Sequence, residues 1–167
     1  LKQSPLCSEV VAISGNGGIA QDAVCIPANL ANLDEVATIC AQQKIEYAVV
    51  TPDDPLAAGL VDKLAAAGIR SFGPSAASAR IEASKVVAKD LMKKYGIPTA
   101  DYRSFENSAE AAGYIEIHSN FPVVVKADGL ALGKGVFICQ TKPEALNAVR
   151  EIMDNRKFGQ SGARVVV

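Results

Sequence analysis

The chain has 167 residues, 49% apolar and 21% charged, which is enough core-forming material for one medium domain or two small ones and too much for a disordered chain. Lys and Arg number 17 against 18 Asp and Glu, and a net charge of −1 speaks against a general nucleic-acid or membrane-surface binder. No apolar run is long enough to cross a membrane. Aromatics make up 5% and Trp is absent, so the core should be built of Val, Ile, Leu and Ala.

Residues 1–8 read as the end of a helix that stops at Pro5. Glu9–Ser14 (E-V-V-A-I-S) reads as a strand, with Gly15-Asn16-Gly17-Gly18 at its carboxyl end. In open α/β sheets ligands gather outside that end, and a Gly/Asn turn there can offer amides to an anion; a plain tight turn is the simpler reading. Asp22–Ile26 fits a short edge strand stopped by Pro27. Asn32 caps a helix whose Leu33, Val36, Ala37, Cys40 and Ala41 keep helical spacing. Ile45–Thr51 is the next strand, and Pro52-Asp53-Asp54-Pro55-Leu56 opens a helix expected from about Leu56 to Ala67. Asp53 and Asp54 suit a helix start; the other reading is a carboxylate that grips a substrate hydroxyl or amine. Gly68 ends the helix and Ile69–Phe72 is a short strand. This alternation predicts an α/β fold, a parallel sheet with crossover helices.

Gly73-Pro74 marks a boundary, giving domains 1–73 and 74–167. Ser75 and Ser84 cap two short helices, and the second, Ser84–Tyr95, carries Lys85 and Lys89 four residues apart, by default a solvated face. After Gly96 and Pro98 the segment Thr99–Phe105 is extended, and Ser108 starts a helix to about His118, where the histidine reads as a surface cap. A further helix is expected from Lys142 to about Arg156, a loop over Gly159–Ala163, and a strand at Arg164–Val167. Cys7, Cys25, Cys40 and Cys139 form no C-x-x-C pair and there is a single histidine, so a zinc site is not expected. Cys40 and Cys139 lie in apolar patterns as small core residues, and the thiols fit a reducing, cytoplasmic setting. The chain starts Leu1-Lys2-Gln3 without Met and ends on an apolar strand expected to be unpaired, which reads as a piece of a longer protein.

The richest stretch is Phe121–Val136 (F-P-V-V-V-K-A-D-G-L-A-L-G-K-G-V). Val123-Val124-Val125 is a buried strand that ends at Lys126; a loop with Gly129, Gly133, Lys134 and Gly135 follows, and Val136–Cys139 returns as a second strand. Glycines admit backbone amides close to phosphate oxygens and lysines add mobile positive charge. The spacing is neither a Walker loop, because three residues separate Gly129 from Gly133 and Gly135 replaces the hydroxyl, nor a dinucleotide fingerprint. An ordinary hairpin remains the alternative on this stretch alone.

Together, several stretches resemble one family. Gly73-Pro74-Ser75, Ile81-Glu82-Ala83-Ser84-Lys85 with Lys89, Gly96-Ile97-Pro98-Thr99-Ala100 and Val124–Val136 closely match the glycinamide ribonucleotide synthetases, ATP-grasp ligases of purine biosynthesis. Thr51–Leu56 with Gly59 resembles the family's G-P-E-x-P-L-x-x-G element, with Thr51 for Gly and Asp53 for Glu, and Gly15–Gly18 resembles its G-N-x-G turn. The resemblance implies a parallel-sheet amino-terminal domain followed by part of an ATP-grasp domain. It implies ATP binding by Lys85, Lys126, Asp128, Gly129, Gly133, Lys134 and Gly135, the loop 127–135 being a mobile lid. It implies binding of 5-phosphoribosylamine around Gly15, Asn16, Gly18, Asp53, Pro55, Leu56 and Gly59, with glycine as the second substrate and Mg or Mn as metal. No residue is expected to do covalent work, and the metal's ligands are expected beyond Val167, so this polypeptide by itself is expected to have little ligase activity. The rival readings are a non-catalytic nucleotide-binding module and a different ATP-grasp ligase.

Overall fold

Runs of β-branched residues broken by Pro, Gly and Asn give short strands; the longest among the described residues, Val123–Ala127, has five residues. The computed structural model describes residues 1–118 and 120–167, and the side chain of His118 lies outside the described residues together with the expectation placed on it. Two compact units are present, Leu1–Ser78 and Ala79–Val167.

In the first unit β1 (Val11–Ile13) pairs in parallel with β2 (Val24–Ile26), and β3 (Tyr47–Val49) with β4 (Arg70–Phe72). The parallel pairing is as expected, but it forms two separate two-stranded ladders and not one sheet. In the chain, α1 (Leu33–Gln42) follows β2, capped by Asn32, whose Oδ1 accepts the Glu35 amide at 3.2 Å. Residues 1–8 are not a helix end: two turns, closed by the Ser4 and Cys7 amides on the Leu1 and Ser4 carbonyls, occupy them, since Pro5 has no amide to continue a helical ladder. The helix expected from Leu56 starts earlier and is broken. It runs as α2 (Asp53–Ala58), then Gly59 at φ 94°, then α3 (Leu60–Ala66). A left-handed residue cannot continue a right-handed helix, so Gly59 is a joint that periodicity does not reveal. Val36, Ala37, Cys40, Val50, Leu56, Leu60, Leu64 and Ile69 form the buried apolar set of this unit.

α4 (Ala76–Ala83) spans the division, and α5 (Lys85–Lys94) follows the Ser84 cap. The second unit is built on a four-stranded antiparallel sheet: β5 (Ser104–Phe105), β6 (Val123–Ala127), β7 (Val136–Cys139) and β8 (Val165–Val166), in the order β5-β8-β6-β7. β8 is not unpaired, as its apolar run had suggested; it lies between β5 and β6 with both valines buried. Helices α6 (Ser108–His118) and α7 (Lys142–Val149) cover one face of the sheet, and α7 runs on through a π-helical turn, Arg150–Asp154. Ala111, Ile115, Val125, Ala127, Cys139, Ala145, Ile152 and Val165 interlock there. The opposite face of the hairpin carries Val124 and Lys126 on β6 against Ile138 and Val136 on β7, and Ile138 is 69% exposed. Among the described residues no helix is long and apolar enough to cross a membrane.

Candidate functional site

At the root of the β6–β7 hairpin the chain buries a carboxylate. Asp128, 8% exposed, follows β6 directly, and its side chain meets the first turn of α5. Asp128 Oδ1 accepts the Val86 amide at 2.8 Å, and Ser84 Oγ lies 2.9 and 3.1 Å from its two oxygens. Arg164, just before β8, forks onto Oδ2 through Nε at 3.0 Å and Nη2 at 2.6 Å. Main chain reinforces the side chains: the Asp128 amide donates to the Arg164 carbonyl at 2.9 Å and the Lys85 amide to the Asp128 carbonyl at 3.1 Å. Burial alone would raise the Asp128 pKa, but the Val86 amide, the Arg164 guanidinium and the Ser84 hydroxyl outweigh it and hold the carboxyl below its usual range.

Lys85 is the first residue of α5, and this places its ammonium at the same root. Nζ donates to the Gly129 carbonyl at 3.0 Å and to that of Asp128 at 3.4 Å. Its pKa is lowered: burial is the main cause, the Asp128 carboxylate opposes it, and the nearby Lys126 ammonium adds to it. Two lysines close enough to repel each other, one on a helix start and one on a strand, concentrate positive charge at the hairpin root. The solvated-face expectation therefore fails for Lys85. It also fails for Lys89, which is half-buried, donates to Thr99 Oγ1 at 2.7 Å and the Ala100 carbonyl at 2.9 Å, and sits over the Tyr102 ring.

The loop glycines have reasons of their own. A Cβ on Gly129 would lie 2.8 Å from the Ser161 Cα, and one on Gly135 would lie 2.8 Å from the Ala131 Cβ. The amides of Ala127, Asp128, Gly129 and Lys134 bond to carbonyls of Gly135, Arg164, Ser161 and Ala131. These groups hold the hairpin in shape. Gly133, at φ 75°, follows Leu132, 84% exposed, at the tip, and Lys134 is exposed beside them.

The other predicted residues belong to the first unit. Gly15–Gly18 does follow the carboxyl end of β1, and Asn16 Oδ1 closes the turn by accepting the Gly18 and Ile19 amides at 3.0 Å each. A Cβ on Gly15 would overlap the Cys25 sulfur. Asp53 and Asp54 are exposed in the first turn of α2 without a side-chain capping bond, whereas Pro55 and Leu56 are buried. Sequence reading missed Arg164 and Ser161 and saw Ser84 only as a cap; nothing local in G-Q-S-G-A-R points to a carboxylate far away in the chain. Among the described residues no three His, Cys, Asp or Glu converge as metal ligands, and the Asp128 oxygens are already taken.

The comparisons with known proteins fall on the same architecture. Residues 1–82 match the phosphoribosylglycinamide synthetase N domain and residues 83–167 the phosphoribosylglycinamide synthetase ATP-grasp (A) domain. The chain belongs to the phosphoribosylglycinamide synthetase family. A phosphoribosylamine–glycine ligase of Rhizobium meliloti is 45% identical over 167 residues, which is 100% of this chain and 39% of the relative. The crystal structure of a phosphoribosylamine–glycine ligase from Thermotoga maritima superimposes with a TM-score of 0.73 at 31% identity, covering 95% of this chain and 37% of that one. The biotin carboxylase domain of 2-oxoglutarate carboxylase from Hydrogenobacter thermophilus gives the same TM-score, 0.73, at 21% identity over 95% of this chain and 38% of that domain, a likeness of fold alone. The chain thus spans about two fifths of the length of the curated relatives it matches. Within this family, the hairpin with its two lysines lies in the part matched to the ATP-grasp model.

Proposed function

We propose that the second unit binds the phosphates of ATP and that the protein acts as a phosphoribosylamine–glycine ligase of cytoplasmic purine biosynthesis. The observation that carries this reading is the pair Lys85 and Lys126, brought within electrostatic range at the root of a glycine-rich hairpin. The two ammonium groups neutralise phosphate charge. The amides between residues 130 and 133 and the side chain of Lys134 reach the phosphates from the loop. On the coreless face of the hairpin, Val124, Val136 and Ile138 offer an apolar strip beside Lys126, a surface suited to a flat base.

In this reading the glycine carboxylate oxygen attacks the γ-phosphorus of ATP, the bond to the β-γ bridging oxygen breaks, and ADP leaves. The amine of 5-phosphoribosylamine then attacks the acyl carbon and expels phosphate as the amide forms. Nothing in these steps requires a protein nucleophile; what the chain supplies is placement and positive charge. A loop closed over the phosphates would shield the acyl phosphate from water. Phosphoribosylamine is assigned to the first unit, near Asp53 and the amides of Gly15–Gly17, with Asn16, Gly18, Pro55, Leu56 and Gly59 holding those turns in shape. Magnesium or manganese accompanies ATP as the phosphates' counter-ion.

Calorimetric titration of ATP and magnesium into the chain tests the reading. Lys126→Ala is expected to weaken binding roughly tenfold or more. Equal affinity in the wild type and Lys126→Ala would remove the hairpin from the nucleotide site.

A further inference from the structure

Lys85, half-buried, depends on its surroundings more than a position on a helix start would suggest. Among the described residues its ammonium pairs with no carboxylate; it rests on the carbonyls of Asp128 and Gly129. Those carbonyls stay in place only if the hairpin root stays attached to α5. Apart from the Lys85 ammonium itself, the bonds among the described residues that join the first turn of α5 to the hairpin root end on Asp128: the Val86 amide and Ser84 hydroxyl on its carboxylate, the Lys85 amide on its carbonyl. A carboxylate held by one amide and one hydroxyl can still swing. A guanidinium that forks onto it fixes both its direction and its ionised state.

Arg164 does this, and it is itself anchored. Its carbonyl accepts the Asp128 amide at 2.9 Å, and the next two residues are the buried interior strand β8. Glu106, mostly exposed, is 3.6 Å from Nη1, too far to compete with the 2.6 Å bond to Asp128.

We infer that Arg164 is a positioning residue for the Lys85 ammonium: by clamping Asp128 it fixes the first turn of α5 and the two carbonyls on which that ammonium rests. Its consequence for ligand binding rests on the reading of Lys85 as a phosphate ligand; the mechanical coupling does not.

The experiment separates the two. Amines of the whole chain are acylated over a range of pH, and modification of each lysine is read by peptide mass spectrometry. In the wild type, the Lys85 profile is expected to have its midpoint below the ordinary lysine range, because burial and Lys126 outweigh Asp128. In Arg164→Met that midpoint is expected to move up toward the ordinary range as the ammonium returns to water, while the extent of acylation of Lys89 and Lys142 at one fixed pH stays the same. Arg164→Lys, which keeps the charge but cannot form the two-bond fork, is expected to fall between. ATP affinity, measured with magnesium, should drop roughly tenfold in Arg164→Met. A wild-type Lys85 midpoint in a folded Arg164→Met overturns the inference, as does a matching change in the fixed-pH acylation of Lys89 and Lys142, which would mean general loosening. If Arg164→Met does not fold, Arg164→Lys decides: an intermediate midpoint supports the coupling and a wild-type midpoint overturns it. If ATP fails to bind the wild type while the Lys85 midpoint still responds to Arg164, the nucleotide reading fails and the positioning role stands.

Discussion

Two glycine-rich turns, each at the carboxyl end of a strand, look alike in sequence and are built differently. The turn after β1 is closed by a side chain: Asn16 Oδ1 takes the Gly18 and Ile19 amides, a Cβ on Gly17 would meet nothing within 4 Å, and Gly18 has ordinary helical angles. The loop after β6 is closed by packing: Gly129 lies against the Ser161 backbone, Gly135 is wedged between Ala127 and Ala131, and the root is pinned by a part-buried ion pair. The first can change its glycines freely at one position; the second cannot at two. A glycine count therefore says little about why glycine is needed, and the neighbours in space say most of it.

Substitutions would test this contrast, the largest effect first. Asp128→Ala should cost about 3 kcal/mol, because it strands the Arg164 guanidinium and the Val86 amide around an unpaired, half-buried space. Urea unfolding followed by circular dichroism measures it. The pH dependence has a definite sign. Asp128 is held below its usual range when folded, so its contribution is fully present above the ordinary carboxylate range and is lost as pH falls through the folded value. The gap between the wild type and Asp128→Asn should accordingly narrow in acid; a gap that widens there would contradict the ionised assignment.

Next comes a pair of identical changes. Gly129→Ala should destabilise by about 2 kcal/mol, since the new methyl meets backbone at Ser161, whereas Gly17→Ala should stay within about 0.5 kcal/mol of the wild type. Equal costs would erase the distinction between the two turns. The smallest effect is expected at Lys89→Ala, about 0.5–1 kcal/mol from the lost bonds to Thr99 and Ala100. ATP affinity should not change in that variant, in contrast with Lys126→Ala, and a calorimetric titration distinguishes the two.

Much of the architecture could be read locally. The caps Asn32 and Ser84, the α/β alternation up to Phe72, and the hairpin from Val123 to Cys139 are short-range features, governed by periodicity, capping chemistry and turn residues. The motif Val124–Val136 also drew attention to the candidate site, because a lysine, a glycine loop and a second lysine lie within one hairpin. The misread elements were of two kinds, local breaks that periodicity does not show and pairings that depend on distant partners. The break at Gly59 follows from a left-handed residue inside an apolar pattern that remains helical on both sides. The split of the parallel strands into two ladders is a matter of which edges meet.

What the sequence by itself determined is the set of elements, the family and the identity of the lysines at the hairpin. What only the tertiary structure decided is how those lysines are held. β8 finds its place between β5 and β6, Arg164 comes with it, and Asp128 becomes a buried carboxylate satisfied by groups 42 and 36 residues away along the chain. Local preference acts over a few residues, whereas burial of a charge depends on every group that surrounds it, and those groups converge only when the sheet is assembled.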